Sequence, residues 1–113
     1  MIHDSREHAR LRYIRECITL IEQYTRGGRR AFFAETIIQD AVLRRLETLT
    51  DAIGKLSNTL RARHPTIPWR QVYGFRNIAA HAYAEIDLTR VWEIVEDYAP
   101  MLKSVVDREL DTR

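Results

Sequence analysis

The sequence predicts an all-α protein. Apolar residues recur at three- and four-residue intervals almost from end to end, and no stretch of any length alternates in the manner of a strand. Four Gly and three Pro in 113 residues are too few for the many tight turns of an all-β protein.

The chain is long enough for one domain, residues 1–113, with a thin core of the kind that often gains stability by pairing. Hydrophobic residues make up 45% and charged residues 30%, an ordinary soluble composition. Eighteen basic against sixteen acidic residues leave a net charge of +2, so any nucleic-acid footprint must come from local clusters. Two present themselves: Arg26, Arg29 and Arg30, and Arg61, Arg63, His64 and Arg70. Both also read as solvated helix ends. The single cysteine, Cys17, excludes an internal disulfide and a cysteine zinc site, and its apolar neighbours make it a buried small hydrophobe. The N-terminus is charged from His3, and no apolar run approaches the ~18 residues of a membrane span, so a cytoplasmic protein is expected.

The first helix is expected from Asp4, where Asp4 and Glu7 have capping-box spacing. Leu11, Ile14, Ile18 and Ile21 line one face, and Tyr13, Cys17, Leu20 and Tyr24 a second, which suggests a central helix or one packed on another subunit. Gly27-Gly28 ends it.

A long second helix is expected from about Arg30 to Arg63. Its seam of Ile38, Val42, Leu46, Leu49, Ile53, Leu56 and Leu60 has coiled-coil spacing. At ~1.5 Å per residue it would be about 50 Å long, more than a small domain needs, and part of it would pack on a partner. Gly54 weakens it by roughly 1 kcal/mol relative to Ala, which a close helix crossing would explain.

His64-Pro65-Thr66-Ile67-Pro68 breaks the pattern. A short third helix follows from Pro68 or Trp69 to about Ala80, with Trp69, Val72, Tyr73 and Ile78 facing inward. The last helix starts with Asp87 as N-cap and continues through Leu88, Val91, Trp92, Val95, Tyr98, Leu102 and Val105. Pro100 should kink or divide it near Tyr98, and a charged tail from about residue 107 should fray.

The chemistry concentrates in Arg76-Asn77-Ile78-Ala79-Ala80-His81-Ala82-Tyr83. In a straight helix Arg76 and His81 lie ~140° and ~7.5 Å apart, so convergence with Tyr83 requires the helix to end or bend between Ala79 and Tyr83. A guanidinium offers parallel donors to phosphate, and an imidazole moves protons near neutrality. RNA carries its own nucleophile, the 2′-hydroxyl, so a base and a cation that stabilises the phosphorane can suffice without a metal, leaving a 2′,3′-cyclic phosphate. No convincing metal-ligand cluster is present, and neither a metal nor another cofactor is expected. Spacing alone favours a plainer arrangement, with Arg76 paired with an acid, His81 capping the helix and Tyr83 packed in the core.

The Arg-x4-His-x-Tyr spacing resembles the signature of the HEPN superfamily (higher-eukaryote and prokaryote nucleotide-binding domains), in particular its HepT-like group, the toxin half of HepT/MntA toxin–antitoxin pairs. The likeness runs in order over roughly residues 30 to 106, through Gln39-Asp40-Ala41-Val42, Arg44-Arg45-Leu46, Ile67-Pro68-Trp69, the motif, Ile86-Asp87 and Val91-Trp92. It implies an all-α, HEPN-like up-and-down bundle of four or five helices that dimerises, with two motif copies facing a shared cleft. It further implies Arg76 and His81 as the ribonuclease pair, Asn77 as an accessory polar group, and Tyr83 as the residue to which an MntA-like nucleotidyltransferase antitoxin attaches AMP. Many relatives have Glu-Ala in the middle of the second helix where this chain has Asp51-Ala52, and Asp51 is assigned no role on that basis.

The sequence therefore reads first as a metal-independent endoribonuclease toxin acting on RNA, silenced by AMPylation of Tyr83. The alternatives are a non-catalytic helical module that binds a nucleotide or the nucleotidyltransferase, and a dimeric scaffold.

Overall fold

The computed structural model describes residues 5–81 and 87–111, with Ala80 and His81 described by backbone alone. Among these residues the regular structure is entirely helical: α1 (Ser5–Tyr24), α2 (Gly28–Ala34), α3 (Thr36–Gly54), α4 (Asn58–Ala62), α5 (Trp69–His81), α6 (Leu88–Glu93) and α7 (Ala99–Asp111). A widened π turn, Ile94–Tyr98, joins the last two. The expected cap at Asp4 lies outside the described residues.

Four long segments form the bundle: α1, α3, α5 and the continuous α6–α7. Helix α3 packs on both α1 and α5, and α1 packs on α7. Cross-links show these neighbours to be antiparallel. Glu7 meets Ser57 while Cys17 meets Thr48; Asp51 meets Arg76 while Gly54 meets Tyr73; Arg15 meets Asp107 while Glu22 meets Lys103.

The core comes from the positions that helical periodicity marks. Leu11, Ile14, Cys17, Ile18 and Ile21 of α1 are fully buried, as are Val42, Leu46, Leu49 and Ile53 of α3 to within 1%. Val72, Phe75, Val91, Trp92, Leu102 and Val105 complete it. Tyr73, expected to face inward, is substantially exposed, and Phe75 takes the core position instead, edge-on to Tyr98. Gly28 turns the chain after α1 with φ at 88°, a left-handed conformation that glycine adopts without a Cβ clash.

The single helix expected over residues 30 to 63 is three. Glu35 is extended, with φ −120° and ψ 113°, and separates α2 from α3. The carbonyls left over at the end of α2 are taken by the buried side chain of Gln39, whose Nε2 donates to Phe32 O at 3.0 Å and Phe33 O at 3.3 Å. At the other break, α3 stops at Gly54, and Ser57 caps α4 by accepting from Leu60 N at 3.1 Å. Both sides of that break are tied to α1: Glu7 accepts from Ser57 N at 2.7 Å, and Arg10 donates to Lys55 O at 3.3 Å. The apolar seam is thus buried within the chain, and a 50 Å helix reaching for a partner does not exist.

Gly54 has the crossing that its presence suggested. A Cβ there would lie 2.8 Å from Tyr73 Cδ1. Asp87 caps α6 as expected, accepting from Arg90 N at 3.0 Å. Pro100 does not stop the helix, but the regular α-helix is divided ahead of it, near Tyr98 as expected. The π turn ahead of it, with Ala99 N bonded to Ile94 O, re-routes the backbone bonds around the missing donor.

The C-terminal segment also differs from expectation. Instead of fraying from Asp107, α7 continues to Asp111, and both Glu109 and Leu110 are buried. The Glu109 carboxylate accepts two bonds from Arg63, at 2.8 and 3.2 Å, and lies 2.6 Å from His64 Nε2. Those bonds raise the Arg63 pKa further above its ordinary value. Two members of the second basic cluster are therefore committed to holding α7 against the α4–α5 connection. Trp69 closes that connection by donating Nε1 to Arg61 O and His64 O, each at 3.0 Å.

Candidate active site

Arg76 projects from the middle of α5 toward the junction of α1 and α3. It lines an open groove of about 610 Å³, together with Ala9, Arg10 and Tyr13 of α1 and Arg44, Glu47, Thr48, Asp51, Ala52 and Lys55 on or just past α3. Four cations (Arg10, Arg44, Lys55 and Arg76) face two carboxylates (Glu47 and Asp51), so the groove carries net positive charge although the whole chain is nearly neutral.

The carboxylates are shared among the cations. Arg76 Nε is 3.6 Å from Asp51 Oδ1, Lys55 Nζ is 3.4 Å from Asp51 Oδ2, and Arg44 Nη1 is 3.2 Å from Glu47 Oε1. Arg76 and Asp51 are each about half exposed, and such pairs contribute only about 0–1 kcal/mol. A phosphate entering the groove can therefore take the guanidinium at small cost. In exchange it receives two parallel charge-assisted bonds.

Asp51 is the residue that motif reasoning passed over. Its signal was present as periodicity of charge: Arg44, Glu47, Asp51 and Lys55 step by three, four and four, a polar stripe running beside the apolar seam. Pairing of Arg76 with an acid, one of the possibilities that spacing alone left open, is what the structure shows.

Asn77 is exposed on the next position of α5. The backbone of α5 is described as far as His81. The side chain of His81 and the whole of Tyr83 lie outside the described residues. Over the described backbone, positions 76 and 81 are separated by the ~140° of an unbroken helix. Among the described residues no group of three or more His, Cys, Asp or Glu is placed to hold a metal ion, and no helix is long and apolar enough to cross a membrane.

Comparison with known proteins identifies the family. The sequence matches the family described as Ribonuclease HepT-like over residues 14–109. It is 37% identical over 97 residues to a Methanocaldococcus jannaschii protein whose name joins a gamma-glutamylcyclotransferase to a provisionally assigned RNase. The match covers 85% of this chain and 44% of that protein. It is 36% identical over 76 residues to a second provisionally assigned RNase of the same organism, covering 67% of this chain and 70% of the relative. It is also 34% identical over 96 residues to a "Probable ribonuclease HepT" of Thermococcus cleftensis, covering 84% and 87% respectively. No solved structure matches significantly. With a family match spanning all but the ends of the chain, this protein belongs to the HepT-like family of ribonucleases.

Proposed function

We propose that this chain is a metal-independent endoribonuclease, the toxin of a toxin–antitoxin pair, and that its activity resides in the Arg76 groove. The observation that carries the reading is Arg76 itself: a permanent cation, held among the described residues by an exposed pair with Asp51, lining an open groove of net positive charge.

In the proposed reaction the RNA 2′-oxygen attacks phosphorus and the P–O5′ bond breaks. One proton leaves the 2′-hydroxyl and one reaches the 5′-oxygen, giving a 2′,3′-cyclic phosphate and a 5′-hydroxyl. Arg76 binds the non-bridging oxygens as charge develops on them, His81 carries out one of the two proton transfers, and Asn77 supplies an accessory polar contact. Tyr83 is the acceptor for AMP from an MntA-like nucleotidyltransferase. The added phosphate charge would repel the RNA backbone and its bulk would block the groove. We further propose a cytoplasmic homodimer. Its support is the exposed apolar surface of Tyr13, which lines the groove, and of Tyr73 nearby on α5.

The test is expression of the chain alone beside Arg76→Ala and His81→Ala, with sequencing of cellular RNA ends. Growth arrest with new cyclic-phosphate ends that vanish in both variants is expected. Folded wild-type protein that causes neither would replace this reading with a module that binds a nucleotide or the nucleotidyltransferase without cleaving RNA.

A further inference from the structure

The basic cluster that the groove does not use is Arg26, Arg29 and Arg30, at the turn from α1 into α2. All three are exposed, and none has a carboxylate partner among the described residues. The nearest acid on α1, Glu22, is engaged by Lys103 at 3.2 Å; Glu35, past the end of α2, is exposed. The guanidinium of Arg29 lies over the Phe33 ring, 4.8 Å from its centroid. That ring is anchored in turn: Phe33 meets Phe32 edge-on at 5.3 Å, and the buried Phe32 packs on Trp92 at 5.2 Å. Arg29, Arg30, Phe33 and Ala34 line an open depression of about 510 Å³.

This surface lies at the far end of α1 from the Arg76 groove. Arg10 lines the groove and Tyr24 ends the helix, fourteen residues away or about 20 Å along the axis. That agrees with the 43 Å long dimension of the molecule. At roughly 3.4 Å per stacked nucleotide the gap corresponds to about six nucleotides, fewer if the strand is extended.

We propose that Arg26, Arg29, Arg30 and Phe33 form a second RNA contact, which binds the single-stranded backbone and one base of a substrate several nucleotides from the bond cleaved in the Arg76 groove. The proposal rests on the ribonuclease reading for its meaning, though not for its binding test. Arg29 already lies over a ring that is packed against the core, so a base can add to the guanidinium from its outer side. Arg30 and Arg26 supply unpaired donors for the flanking phosphates. Such a contact tolerates any sequence, because every base has a π-face. A second copy of the chain is a poor occupant, since a two-fold contact would bring six arginines together.

The experiment uses 2′-O-methyl oligonucleotides, a pyrimidine 20-mer and a 4-mer, which lack the nucleophile and so report binding without cleavage. Affinity is read by fluorescence anisotropy across a salt series. Arg29→Ala with Arg30→Ala should weaken 20-mer binding on the order of tenfold. It should also reduce the slope of log affinity against log salt by about 1.4, at about 0.7 per single-strand phosphate contact. Binding of the 4-mer, which can sit at either surface, should weaken less than that of the 20-mer, and cleavage of an unmodified 4-mer should not change. Arg29→Lys keeps the charge and loses the plane, so the salt slope should survive while affinity falls. Absence of 20-mer binding by the wild type, or an unchanged affinity and slope in the double variant, overturns the proposal. So does a double variant that binds RNA normally and instead escapes the antitoxin, because the surface is then a protein dock. Binding that depends on these arginines in a chain that cleaves nothing would refute the enzyme and leave this site standing.

Discussion

Arg76 Nε and Asp51 Oδ1 stand 3.6 Å apart across the α3–α5 contact, both half exposed. The pair contributes little to folding, and its consequence is directional: Asp51 holds the guanidinium over the groove, and Lys55 on the same carboxylate keeps Asp51 in place. Asp51→Ala should change stability by under about 1 kcal/mol. It should lower kcat severalfold without raising KM, because the groove gains positive charge while Arg76 loses its orientation. Thermal denaturation with steady-state RNA cleavage checks both parts. A raised KM with unchanged kcat would exclude the positioning role.

Glu109 makes the opposite kind of contact. It is fully buried and bound by Arg63 and His64, so removing it strands two donors at the α7 interface. Glu109→Ala is expected to cost about 2–4 kcal/mol. Arg63 is partly exposed and can turn to water, which keeps the loss below that of a fully enclosed triad. Urea unfolding measures this, and a midpoint within error of wild type would show the cluster to be energetically idle.

Gly54→Ala should destabilise the chain even though alanine favours a helix by about 1 kcal/mol. The new methyl meets the Tyr73 ring and forces a shift costing about 1–3 kcal/mol. Adding Tyr73→Ala removes the obstacle, so the double variant should recover part of the loss relative to Tyr73→Ala alone. Additive losses in that cycle would mean that the crossing is not the reason for the glycine.

Tyr83→Phe removes the proposed AMP acceptor. The variant is expected to remain toxic when the nucleotidyltransferase is co-expressed, with no adenylate mass shift. Rescue of growth together with a retained mass shift would place the acceptor elsewhere.

Dimerisation is checked by light scattering at micromolar concentration, where a mass twice the 13.3 kDa of the chain is expected. Tyr13→Glu should then shift the equilibrium toward monomer, because it places charge on exposed apolar surface beside the groove. A wild-type monomer would remove the shared cleft.

Helix class, core face and caps were legible in the sequence because they depend on neighbours three or four residues away. The burial of Leu11, Ile14, Ile18 and Ile21, the Asp87 cap and the turn through Gly27-Gly28 that follows α1 are of this kind. The stretch beginning at Arg76 stood out because it is contiguous in the chain. The tertiary structure decided whatever depends on groups distant in sequence. It divided the long second helix, because the Gln39 side chain satisfies the carbonyls ending α2, and Glu7, fifty residues away, accepts from Ser57 beyond the second break. It turned a tail expected to fray into a buried helix end by pairing Glu109 with Arg63 and His64. It also gave Asp51 its place beside Arg76. Periodicity put Asp51 on a polar stripe, and only the antiparallel packing of α3 on α5 determined which cation would stand opposite.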